Sequence, residues 1–236
     1  MKYAVDLHIH SALSPCSDEE MTPNNIVNMA LLKGLDIIAI TDHNSAANLS
    51  AVAECAEGGN ILVVPGMEIE TSEEIHLVCL FPDTETALNV QDKVYAALPP
   101  IDNREDIFGR QVIMDASDNI TGVEGRMLLT AASLGITEVS SLVEGAGGVV
   151  IPAHVDRDSY SVISNLGFIP EELNVNYVEI SKNCNTGELL EKYPRLSEYG
   201  FIRSSDAHNL GDILERESFI ELEELSIRSL LEKLKV

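Results

Sequence analysis

The sequence predicts a single α/β domain folded as a closed or nearly closed barrel of seven or eight strands. Three observations carry that prediction. Short β-rich apolar runs alternate with helical patterns along the chain, which is the sign of βα units and a mainly parallel sheet. The chain has 236 residues, within the roughly 250 that one α/β barrel occupies. Five of its six histidines fall at or just beyond the C-terminal end of a predicted strand, where parallel barrels build their sites.

The first run, Tyr3–His10, alternates strictly from Asp6 to His10. Period-two geometry sets Asp6, His8 and His10 on one face and Val5, Leu7 and Ile9 on the other. A helix over Thr22–Lys33 starts from a Thr22-Pro23 cap and ends at Gly34. The buried strand Asp36–Thr41 runs straight into Asp42-His43-Asn44, and a helix over Ala46–Glu57 follows. Strand Ile61–Met67 contains Gly66, which allows a close backbone approach just before Glu68. His76 opens the otherwise apolar strand Ile75–Phe81, and a helix spans Thr84–Ala97. The polar stretch Pro99–Thr121 keeps no period and reads as an insertion or lid, since loops of this length in compact domains tend to be functional. Helices over Glu124–Leu134 and Thr137–Glu144 lead to strand Gly148–Ala153 and then His154. Strand Tyr177–Ser181, a helix over Thr186–Tyr193 and strand Phe201–Ser205 precede Asp206-Ala207-His208, and Ser218–Leu222 is a last candidate strand before a helix over Ser226–Lys235. No repeat or low-complexity linker divides the chain, so residues 1–236 read as one domain with an insertion or cap at 99–134.

Composition narrows the function. Hydrophobic residues make up 45% and charged residues 23%, a globular balance. Fifteen basic residues against 39 acidic ones leave a formal charge of −24. Such a chain is expected to bind nucleic-acid backbone poorly, which argues against duplex nucleic acid as a partner. An anionic substrate then needs local positive charge, most simply from metal. Cys16, Cys55, Cys79 and Cys184 form no CxxC pair, so reduced thiols in a cytoplasmic protein are expected. The N-terminus reaches Asp6, His8 and His10 before any apolar leader could form, and no apolar run approaches the roughly 20 residues of a membrane helix. A soluble protein with no membrane partner is expected, and the sequence carries no signal for oligomeric state.

The histidines and carboxylates carry the chemistry. His8 and His10 end one strand on one face and suit a shared ion. Asp42-His43 at the next strand mouth reads either as ligand or as capping turn. Glu68 either points inward to bridge two cations or is a solvated strand-end carboxylate. His76 reads equally as a ligand or as a hydrogen-bonded core histidine, whereas His154, Asp206 and His208 again stand at strand mouths. Six imidazoles and at least two carboxylates from six strands exceed one tetrahedral ion, so two or three divalent metals are expected, with Zn, Mn or Fe suited to mixed imidazole and carboxylate. Such a cluster makes hydroxide at neutral pH and polarises a phosphoryl oxygen. Phosphoester hydrolysis by a metal-bridging hydroxide follows, with no protein nucleophile. Arg157, Arg203 and Lys182 are candidates for gripping phosphate, or for ion pairs on an acidic surface.

These segments together resemble the PHP domain, the family of bacterial DNA polymerases and histidinol phosphatase. The resemblance rests on Asp6-Leu7-His8-Ile9-His10, Thr41-Asp42-His43-Asn44, Gly66-Met67-Glu68, His154 after an apolar strand, and Asp206-Ala207-His208. It implies a distorted (β/α)7 barrel with up to three metals at the strand C-termini. Carried over by position, it implies one metal held by His8, His10, Glu68 and Asp206, and a second bridged by Glu68 to His76 and His154. A third is implied at His43 and His208, completed by Asp18, as in the small phosphoesterase branch, or by the thiolate of Cys16. The overall charge favours a small phosphorylated metabolite, a nucleotide or a short oligonucleotide end over duplex nucleic acid as substrate. A metal-dependent amidohydrolase is the competing enzyme reading, weakened because no predicted strand offers an inward lysine. A non-catalytic metal-binding or partner-binding module is the competing non-enzyme reading.

Overall fold

The computed structural model of the protein describes residues 1–235. Its elements run β1 (Lys2–Ile9), α1 (Pro23–Leu32), β2 (Ile37–Ile40), α2 (Leu49–Cys55), β3 (Leu62–Glu70), β4 (His76–Leu80) and α3 (Thr84–Ala97). They continue α4 (Glu105–Phe108), β5 (Val112–Met114), β6 (Ile120–Val123), α5 (Ile136–Gly145), β7 (Val149–Pro152), α6 (Val162–Leu166), β8 (Tyr177–Ser181), α7 (Thr186–Lys192), β9 (Gly200–Ser204), β10 (Phe219–Glu221) and α8 (Ile227–Leu234). All eight expected strands are present within a few residues of their expected limits. Among the described residues, no helix is long and apolar enough to cross a membrane.

The strands curl into a distorted barrel. Six form one sheet in the order β10-β1-β2-β3-β4-β7, and β8 and β9 form a parallel pair beside it. Single backbone hydrogen bonds join the two: Val155 N donates to Glu179 O at 2.9 Å and His10 N to Ala207 O at 3.0 Å. Closure is incomplete because β10 occupies the lower edge of β1, pairing Lys2–Ala4 with Phe219–Glu221, so the segment after β9 forms a single β-bridge with β1, Ile9–Ala207, among the described residues.

The sheet is parallel from β1 to β3, but β4 runs antiparallel to both β3 and β7. A tight turn, in which Thr71 N donates to Ile75 O at 2.9 Å, replaces the helical crossover. The N-terminal end of β4 therefore lies at the same rim as the C-terminal ends of its neighbours. This explains how His76 opens its strand and still joins histidines that close theirs.

Two apolar layers hold the fold. Inside the curved sheet, Val5, Leu7, Ile37, Ala39, Val64, Val78, Ile151 and Ile202 pack together, sealed by Leu230, Leu231 and Leu234 of α8. Outside it, Ile38, Ile40, Met67, Ile69 and Val150 meet buried residues of α1, α3 and α5, such as Ile26, Val90 and Val139. Alternation along β2 and β3 assigns each side chain to one layer. In β1 it breaks: Val5 and Leu7 lie in the inner layer while Ile9 lies in the outer, and the pairing with β2 shifts register between Asp6 and Ile9. The expectation that Asp6 shares a face with His8 and His10 is therefore corrected. Its carboxylate instead accepts from Ser205 N at 3.0 Å and Leu214 N at 2.9 Å.

Segment 99–134 contains α4 and the antiparallel β5–β6 hairpin, neither of which was expected. The helix expected over Glu124–Leu134 is absent, because its backbone is satisfied by distant partners. Met127 N donates to Ile101 O at 2.8 Å and Ala132 N to Glu70 O at 2.9 Å, while the Gln111 and Asn44 side-chain amides bind the backbone at Leu128 and Thr130. Every such bond removes a reason to coil.

Gly66 is where β3 comes closest to its neighbours. A Cβ there would stand 2.7 Å from Thr41 Cγ2 and 2.9 Å from Ile40 O. Gly66→Ala is expected to destabilise the protein by about 1–3 kcal/mol through overpacking, lowering Tm by roughly 3–10 °C. Thermal unfolding checks this, and an unchanged Tm would contradict the close approach.

Candidate metal centre

Glu68 is the hub of the rim. Its alternation with Met67 and Ile69, both in the outer layer, turns it inward, and it is fully buried. Around its carboxylate stand His76 Nδ1 at 2.7 Å, His43 Nδ1 at 2.8 Å, and His8 Nε2 and His154 Nε2 at 3.3 Å each. Asp206 Oδ1 approaches from beyond β9, 2.9 Å from His10 Nε2 and 3.3 Å from His8 Nε2. Three groups of side chains each bring their ligand atoms within 4.8 Å of one another: His8, His10, Glu68 and Asp206; His43, Glu68 and His76; and His10, His43 and His208.

The charge on this cluster follows from burial and neighbours. Burial alone would raise Glu68, yet the surrounding His76, His8 and His43 hold it well below the ordinary carboxylate range. Burial opposes charge on His8, but Glu179, Glu68 and Asp206 outweigh it and raise the imidazole well above its usual value. His76 is pushed up to about 9 against burial, by Glu68 and Glu70. His10 moves the other way, kept neutral by burial and by His208 and His43. Asp206 is held well below the carboxylate range, its burial overcome by His8 and His10.

The cluster fits metal ions. His43 Nδ1, His76 Nε2, His154 Nδ1 and Glu68 Oε2 are buried without a hydrogen-bond partner among the described residues, a state costly for polar atoms unless an ion completes them. His43 Nδ1 and Glu68 Oε2 lie close but are not aligned for a hydrogen bond, as two ligands of one cation would be. The donors are imidazole nitrogens and carboxylate oxygens, a set suited to divalent metal ions.

A surrounding ring orients these side chains. Glu179 accepts from His8 Nδ1 at 3.0 and 3.1 Å and from His154 N at 3.1 Å. Asp42 accepts from Ser11 N, Ser11 Oγ and Ser14 Oγ at 2.6–2.7 Å, and Ser14 Oγ in turn contacts His10 Nδ1 at 2.9 Å and accepts from His43 N at 3.1 Å. Glu179 was missed by sequence reasoning although a signal existed: between Val178 and Ile180, both in the outer layer, it is the one carboxylate facing inward from β8. Glu179→Gln is expected to weaken metal affinity about 10–100-fold with the fold retained. Competition titration against a chelator measures it, and unchanged affinity would deny Glu179 that orienting role.

The remaining expected site residues divide. Arg157 stands at the mouth, its guanidinium 2.5 Å from Asp206 Oδ2. Arg203 does not face the cavity, because its guanidinium donates to the carbonyls of Ser181, Lys182 and Cys184. Lys182 Nζ is turned to Asp212 O at 3.2 Å. Cys16 lines the cavity with His43 and His208, but neither it nor Asp18 offers an atom to the three ligand groups. Asp18 is exposed and its carboxylate caps Glu20 N at 3.0 Å; His10 stands beside His43 and His208 where a third partner was expected.

A PHP domain model matches residues 6–142, more than half of the chain. The chain belongs to the PHP domain family. The match covers His8, His10, His43, Glu68 and His76, with Glu179, His154, Asp206 and His208 beyond it. The chain is 29% identical over 124 residues to the 3',5'-nucleoside bisphosphate phosphatase of Chromobacterium violaceum, covering 51% of this PHP chain and 40% of that protein. It spans between 17% and 57% of the length of the curated relatives it matches. The fold superimposes on endonuclease Q of Pyrococcus furiosus with a TM-score of 0.71 at 16% identity, covering 100% of this chain and 56% of the other. It also superimposes on a Bifidobacterium adolescentis chain assigned as a metal-dependent phosphoesterase, with a TM-score of 0.64 at 20% identity, covering 98% and 97% respectively. Endonuclease Q is also known in complex with a 27-mer duplex carrying an abasic lesion at its active site. That finding overturns the exclusion of duplex nucleic acid from net charge: binding depends on the field at the site, which a chain-wide sum does not report.

Proposed function

We propose that this PHP protein is a metal-dependent phosphoesterase acting on a small phosphorylated metabolite or nucleotide. One observation carries the reading: buried imidazoles and carboxylates from separate strands converge on Glu68 with several of their polar atoms unpartnered. The kinship with a nucleoside bisphosphate phosphatase supports it. His8, His10, Glu68 and Asp206 would hold one divalent ion, Glu68 with His76, His43 and His154 a second, and His10, His43 and His208 a third. Zn, Mn or Fe bound there lowers the pKa of water and neutralises phosphoryl oxygens. The protein's own part is to gather these ligands at one rim, to orient them through Glu179 and Asp42, and to present the Arg157 guanidinium at the mouth, where it can meet two phosphoryl oxygens at once. An amidohydrolase reading gains nothing here, since no lysine is among the described residues that line the cavity. The four free thiols suit a reducing, cytoplasmic setting.

The test is a panel of phosphomonoesters, phosphodiesters and nucleoside bisphosphates offered to manganese-loaded protein. Turnover lost with chelator and in Asp206→Ala is expected, with Arg157→Ala raising KM about 10-fold at unchanged metal content. Bound metal with no turnover of any phosphoester would instead identify a non-catalytic module.

A further inference from the structure

Above the metal ligands lies a cavity of about 150 Å³, well under the 300–1,000 Å³ of pockets that enclose a whole drug-sized ligand. Its floor is polar, made by His43, His76, His154 and His208. The rest of its lining mixes the apolar Pro15 and Leu129 and the Tyr160 ring with Arg157 and Asp206. A phosphoryl group fits that floor, and the alcohol it is bonded to must then lie at the rim.

Tyr160 is held there as a fixed platform. Its ring stacks on His76 with centroids 4.8 Å apart and an interplanar angle of 28°, and its carbonyl accepts from His76 N at 2.9 Å. Tyr160 is nevertheless 44% exposed and lines the cavity, so the stack does not bury it. Its φ is +54°, a left-handed conformation that is costly for a bulky side chain. Cys16, His154 and Asp206, which line the same cavity, also have positive φ; strain of this kind persists where the surroundings over-determine it. The surroundings of Tyr160 do so: Ser161 Oγ donates to Arg157 O at 2.9 Å and caps α6 by accepting from Ser164 N at 3.0 Å. Arg157 N donates back to His154 O at 2.9 Å. Segment 154–161 is thereby a braced arch carrying Arg157 and Tyr160 on one side of the cavity.

We infer that Tyr160 is a specificity-determining residue that receives the planar base of the departing nucleoside, so that the substrate is a terminal phosphate ester of a nucleoside. This rests on the phosphoesterase reading above and names its substrate class. Arg157 faces the phosphate and Tyr160 the base, three residues apart on one arch.

Calorimetric titration of manganese-loaded protein with adenosine 5'-monophosphate and, separately, with inorganic phosphate tests this. Tyr160→Ala is expected to weaken the nucleotide about 10-fold or more, the size expected for a base stacked on an aromatic ring, and to leave inorganic phosphate within about twofold. Tyr160→Phe is expected to keep the wild-type nucleotide affinity, and metal content is expected to match wild type in both variants. Equal weakening of nucleotide and phosphate, loss of metal from Tyr160→Ala, or a nucleotide affinity indifferent to the ring would each overturn the inference. Nucleotide binding that depends on Tyr160 in a protein that hydrolyses no phosphoester would defeat the hydrolase reading alone. Ester turnover with Tyr160-independent nucleotide binding would defeat this inference alone.

Discussion

Glu68→Gln is expected to remove at least two metal equivalents per chain and to reduce phosphoester turnover by about 10³-fold or more, since ion-based charge stabilisation contributes several kcal/mol. The amide keeps the volume of the carboxylate but neither its charge nor its capacity to bridge. Four imidazoles face Glu68 within 3.3 Å, so no other group can take its place. Elemental analysis and turnover on an aryl phosphate read the two effects separately. Glu68→Asp, which keeps the charge with shorter reach, is expected to retain part of the metal. A Glu68→Gln protein with full metal content and activity would remove Glu68 from the centre of the site.

Chelation is expected to lower Tm and to make it depend on pH in a defined direction. A ligand present at 100 times its Kd contributes about 2.7 kcal/mol per site, or roughly 5–10 °C in a domain of this size. In the metal-free protein, His8 and His76 are raised, His76 to about 9. Their contribution is fully present below the unfolded value of about 6.5 and is lost as pH rises through the folded value. Glu68 and Asp206 are depressed, so theirs is present above about 4 and lost as pH falls through their folded values. His10 is depressed as well, which favours unfolding as pH falls below about 6.5. Metal-free protein should thus lose Tm as pH rises from about 6.5 through about 9, the folded value of His76, while metal, which replaces those protons, flattens the curve. Differential scanning fluorimetry across that window, with and without manganese, decides it. A flat metal-free curve would mean that the cluster carries no such protons.

Much of this was legible in the sequence because strands buried on both faces write themselves as short apolar runs. The histidines could then be located relative to strand ends before any three-dimensional information. What escaped depended on partners distant in sequence. The shift in β1 that separates Asp6 from His8 is set by its pairing with β2, and no local pattern encodes it. The helix expected over Glu124–Leu134 lost to the side chains of Asn44 and Gln111, which lie well upstream of it. Asp18 had a suitable distance from α1 but its carboxylate is used in a local turn. Arg203 and Lys182 stand near strand ends, as a phosphate ligand should, yet neighbouring carbonyls occupy them. The chain-wide charge misled for a related reason, since it averages away the local field that a ligand meets.

The reversal of β4 has a further consequence. Because that strand descends, α3 climbs back toward the ligand-bearing rim and α5 descends again to start β7, so the excursion between them emerges beside the entrance. It delivers Leu129 to the opening and Phe108 to the backbone of Cys16, at 2.9 Å, without contributing any of the ligand groups. Leu129 and the backbone of Phe108 thus border the opening from a part of the sequence that supplies no ligand, and the same segment braces Asn44, the neighbour of His43.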